Sequence, residues 1–90
     1  MKVTQNQLGV LNLVLQLDKE WKAKQYILSE LSLASDIFKE IKKLVVEDKF
    51  IDWEIELTSE QKVFLTKWID ERTWVVSDAD IVFELKVLLK

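Results

Sequence analysis

The side chains in this sequence that are able to do chemistry are carboxylates and amines. Asp52, Glu54 and Glu56 alternate with Trp53, Ile55 and Leu57, and paired carboxylates serve elsewhere as the acid and base of glycoside hydrolysis or as ligands to a hard cation. Asp78 and Asp80 form a second acidic pair. Each set has a plainer reading. Strict alternation puts the first three acids on the solvent face of a half-buried strand, and Asp78 and Asp80 stand before an apolar helical run, where carboxylates complement the positive end of the helix. The spaced Asp-x-Asp-x-Asp-Gly loop that calcium requires is absent. There is no His, no Cys and one Gly, Gly9. That removes the usual proton-transfer groups and thiol nucleophiles, thiolate metal sites, and the glycine-rich loops that cradle phosphate. The sequence therefore points to no enzyme, no cofactor, no metal and no small-molecule substrate.

The amines fall in two groups, Lys19, Lys22 and Lys24, then Lys39, Lys42 and Lys43, but Asp18, Glu20, Asp36 and Glu40 interrupt both. A solvated face accounts for them. Arg72 is the only Arg among 13 basic residues, and 16 acidic residues leave a net charge of −3. Nucleic-acid recognition leans on Arg forks and a basic footprint, so no nucleic-acid partner is expected. The run from Glu47 to Glu60 carries six acids against Lys49 alone, which admits a second function: a small acidic regulator that occupies a basic surface of its target.

The elements that must position these groups are announced by caps rather than by Pro or Gly. Thr4 with Gln7 and Thr58 with Gln61 are capping-box pairs, and Ser77 with Asp80 resembles one, so three helix starts follow. After Thr4, Leu8, Leu11 and Leu15, widened by Val10, Val14 and Leu17, leave only Gly9, Asn12 and Gln16 as a thin polar face, and that helix should be largely enclosed. From Lys19 to Glu47, Ile27, Leu31, Ala34, Phe38, Ile41 and Val45 recur in steps of four and three, the rhythm of a helix packed lengthwise on another. The alternative is a break at Ala34-Ser35-Asp36, where Ser35 or Asp36 would cap a second helix. A short strand over Asp52–Leu57 leads into a helix from Ser59 to about Arg72, with Phe64, Leu65, Trp68 and Ile69 on its apolar side. Trp74-Val75-Val76 reads as extended, and the last helix carries Ile81, Val82, Leu85, Leu88 and Leu89. The strand has two candidate partners, Trp74–Val76 and Lys2–Thr4.

The fold expected is thus mainly α. A long central helix packs on an N-terminal one, two short capped helices follow, and there is a minor β element, residues 1–90 forming one domain. An α+β arrangement is the alternative. A continuous Lys19–Glu47 helix would be about 43 Å long, against a diameter of roughly 30 Å for a compact chain of 90 residues. Its apolar stripe would overhang and need cover from the first helix or from a second chain. The function expected is protein association, homodimeric or with another protein, through Trp21, Ile27, Leu31, Ala34, Phe38, Ile41 and Val45. Trp53 and Trp68 read as core, whereas Trp21 among lysines is an interface candidate. No apolar run approaches a membrane span, and a cytoplasmic location is the default.

In its size, its opening Lys2-Val3-Thr4 with Gln7-Leu8, its Lys22-Ala23-Lys24-Gln25 before a long helix, and its Ser77-Asp78-Ala79-Asp80-Ile81 ahead of Glu84-Leu85, the chain resembles small uncharacterised proteins of tailed phages and prophages of Gram-positive bacteria. The resemblance implies an accessory or assembly role in a phage and carries no catalytic residue with it.

Overall fold

A computed structural model describes residues 1–45 and 53–90, and the side chains of Val45 and Trp53 lie outside that description together with Glu47, Lys49 and Asp52. The chain runs β1 (Lys2–Val3), α1 (Gln5–Gln16), α2 (Leu28–Val45), β2 (Trp53–Glu54), α3 (Ser59–Asp70) and α4 (Ala79–Leu88), with a 3-10 turn at Val76–Asp78 before α4. The architecture is mainly α. The two short strands pair antiparallel, Lys2 opposite Glu54 and Val3 opposite Trp53, so the N-terminal segment is the strand's partner. The Trp74–Val76 stretch is not a strand.

Two helices start where the hydroxyl pattern puts them. Thr4 and Thr58 each accept from the backbone N–H three residues on, at Gln7 and Gln61, whose side chains accept in return from the Thr N–H. These reciprocal bonds satisfy donors that a helix end leaves orphaned. The third expected cap is a correction: α4 begins at Ala79 after the 3-10 turn, and neither Ser77 nor Asp78 makes a side-chain capping bond.

α1 sits centrally and touches α2, α3 and α4. Its Leu8, Leu11, Val14 and Leu15 are buried against Ile37 and Ile41 of α2, Phe64, Leu65 and Ile69 of α3, and Val82 and Leu85 of α4, with Val3 and Ile55 closing the strand end. Ile55 is buried and Glu54 and Glu56 are exposed, as the alternation requires. The α3 helix stops at Asp70, two residues short of Arg72.

The expected long helix is overturned on its N-terminal side. Residues 17–27 do not continue into α2. Asp18 Oδ1 instead accepts the backbone N–H groups of Glu20 and Lys22 at 2.8 and 3.0 Å, Trp21 takes a left-handed φ of 65°, and Leu17 faces Ala23 in an isolated antiparallel bridge. A carboxylate that captures local N–H groups competes with the helix for the same donors. From Leu28 onward the helix passes through Ser35 without a break. At 18 residues α2 is about 27 Å long, within a body of 34 × 30 × 24 Å. Among the described residues the helix does not overhang the body, so an overhang supplies no argument for dimerisation.

Candidate functional site

α2 carries apolar side chains on more of its circumference than the core can cover. The core takes Ala34, Ile37 and Ile41, with Leu33 and Leu44 half-buried beside them. On the other flank Leu28 is 83% exposed and Leu31 48%, and Ile27, just before the helix, is 67% exposed. Beside this ridge lies a hollow of about 360 Å³ walled by Leu15, Tyr26, Leu31, Ala34 and Phe38, with Gln16, Lys24 and Ser35 at its polar edge. Ridge and hollow are adjacent because residues 27, 28, 31, 34, 35 and 38 follow helical spacing along one side of α2.

The expected interface residues are therefore divided. Ala34 and Ile41 are buried in the chain's own core, because an α-helix repeats every 3.6 residues and a strict heptad drifts across its face. Ile27 and Leu31 remain on the open flank, Phe38 is half-buried against the core and walls the hollow, and Trp21, 63% exposed, stands apart on the turn. Ile37, fully buried, was outside the expected stripe although it lies three residues after Ala34. Leu28, Tyr26 and Lys24 were also missed as site residues; Leu28 is signalled by its spacing of three from Leu31.

The polar edge is anchored from two sides. Tyr26 donates its hydroxyl to the Leu15 carbonyl at 2.6 Å and packs against Phe64 and Trp68, ring centres 5.8 and 6.0 Å away. Burial, then the nearby Glu30, pushes the Tyr26 phenol up to about 12. Lys24 places its ammonium 3.1 Å from the centre of the Trp68 ring, a cation-π contact. Burial, and next the charge of Arg72, lowers Lys24 to about 8. These residues form an aromatic wall with the Lys24 ammonium at its rim.

A second groove of about 420 Å³ is lined by Gly9, Val10, Leu13, Trp21, Trp74 and Ile81. Its walls come from α1, the Trp21 turn, the Thr73–Val75 connection and α4, whereas the first hollow is bounded by α1, the segment carrying Lys24 and Tyr26, and α2, with the exposed ridge beside it. Among the described residues no three carboxylates converge on a point that could hold a metal ion, and no helix is long and apolar enough to cross a membrane. Comparison with protein-family models, with curated proteins and with solved structures finds no match for this chain.

Proposed function

We propose that this protein is a non-enzymatic association module that pairs with a second copy of itself through the open flank of α2. The observation that carries the reading is the adjacency of an exposed ridge, Ile27, Leu28 and Leu31, and an apolar hollow bounded by Leu15, Tyr26 and Phe38. A two-fold contact is self-complementary. It seats the ridge of each copy in the hollow of the other, so one contact covers both features. The accessory or assembly role implied by the resemblance to small phage proteins belongs to the same proposal, since a self-docking domain of this size suits such work.

Sedimentation equilibrium tests the reading. The expected result is a monomer–dimer equilibrium that strengthens or holds steady as salt is raised, because apolar burial drives it. A monomer at every concentration overturns it. A complex that dissolves steeply with salt also does so, and points instead to electrostatic docking of the acidic segment.

A further inference from the structure

Arg72, the only arginine of the chain, follows α3 and is 8% exposed. Its Nη2 donates to the carbonyl of Leu17 at the end of α1, while Nε and Nη1 are buried without an acceptor. Trp68 is in the same condition, its Nε1 buried and unpartnered. Leaving such donors unmet is unfavourable, most of all where the group is charged, so an acceptor at this place has a large effect. Arg72 and Trp68 line one cleft of about 120 Å³ together with Asp18, Lys19, Lys24 and Glu71.

The acids of the cleft do not supply that acceptor. Asp18 Oδ1 is occupied by the N–H groups of Glu20 and Lys22, and among the described residues no carboxylate forms an ion pair with Arg72. Across the rim, Trp21 lies over the guanidinium at 5.3 Å, covering it from the side of the second groove. Charge and size then select the guest. Lys19, Lys24 and Arg72 against Asp18 and Glu71 leave one net positive charge, which a monoanion neutralises, whereas a dianion would leave an uncompensated negative charge in the cleft. At about 120 Å³ the cleft is smaller than either of the two hollows described above, which suits a small acid group.

We infer that this cleft is a binding site for a single carboxylate, which accepts from the Arg72 and Trp68 donors and is held by the ammonium of Lys24. The donor atoms lie out of contact with solvent, so the carboxylate reaches them as the exposed rim side chain of Lys19 swings aside, while Lys24 stays in place over Trp68 with its ammonium donating to the Val14 carbonyl at 3.4 Å. The charged groups that face Lys24 are Arg72 and Lys67, which disfavour its proton, and Glu71 and Asp18, which favour it. A bound carboxylate adds to the second pair. Affinity therefore falls as pH rises through about 8 and Lys24 loses its charge.

Nitrogen-15 NMR of the whole chain is the test, because one arginine gives one Nε–H signal. With acetate as probe, that signal and one of the indole signals should move together along a single saturable curve, and Lys24→Gln should weaken binding by about tenfold while leaving the free Arg72 signal in place. A blocked peptide carrying one Glu, titrated in parallel, separates the sources: tighter than acetate, and the carboxylate belongs to a partner protein; weaker, and it belongs to a small acid. Shifts that never saturate, an unchanged affinity in Lys24→Gln, or inorganic phosphate binding more tightly than acetate would overturn the assignment.

Discussion

Replacing Leu31 by Lys should weaken self-association by about 10- to 150-fold without harming the fold. Ile27, Leu28 and Leu31 are 67%, 83% and 48% exposed, which together amounts to about two whole apolar side chains. Burying one is worth about 1.5–3 kcal/mol, so each copy gains roughly 3–6 kcal/mol and a symmetric pair about twice that. Association itself costs about 4–15 kcal/mol. These side chains alone therefore leave at most about 8 kcal/mol, a dissociation constant that is micromolar or weaker. Leu31 supplies about 0.7–1.5 kcal/mol per copy, and the two-fold axis doubles its loss to about 1.4–3 kcal/mol. Sedimentation equilibrium from about 1 µM to about 1 mM covers the range, with far-UV circular dichroism confirming the helices. Val63→Lys, at a more exposed site on α3 that does not line the hollow, is the control and should pair as the parent does. If Leu31→Lys pairs as tightly as the parent, or Val63→Lys weakens pairing as much, the α2 flank is not the contact.

The fold yields three further expectations. Thr4→Ala and Thr58→Ala should each cost about 1 kcal/mol in urea unfolding and Ser77→Ala only a few tenths, because only the first two make capping bonds; equal losses at all three positions would contradict this. Gly9 lies inside α1 and an added Cβ there meets nothing within 4 Å, so Gly9→Ala should stabilise by about 1 kcal/mol and raise the melting temperature by about 4–8 °C; a lower melting temperature would show a contact at that face. Lys24 sits near 8 rather than 10.5, so between those values the unfolded chain binds the extra proton and stability rises with pH, until Tyr26, moved from 10.0 to about 12, reverses the trend above about pH 10. The stability of the parent relative to Lys24→Gln should increase across pH 8–10.5, and a flat difference would refute the burial of that ammonium.

What was legible in the sequence was what depends on near neighbours. The Thr4 and Thr58 boxes are bonds across three residues, and both formed as written. The apolar sides of α1, α3 and α4 were readable because one helical face is enough to define each. The start of α2 was not, because the Asp18 side chain and the left-handed Trp21 make a turn without Gly or Pro. The heptad misled for a different reason: α2 has two apolar flanks, and a single stripe drawn through Ile27 and Ile41 crosses from one to the other. Arg72 was weighed only as a scarcity of arginine. Its burial depends on Leu17, 55 residues away, a separation over which sequence spacing carries no signal.

The placement of α1 has a cost during synthesis. The helix α1, whose Leu8, Leu11, Val14 and Leu15 are covered by α2, α3 and α4 together, leaves the ribosome before any of those three. At about 5–20 residues per second, the nascent chain trails that greasy helix for roughly 4–14 s before α4 is complete. Final compaction must therefore wait until α4 has emerged, and a product stalled or truncated before it would present sticky surface to chaperones and proteases.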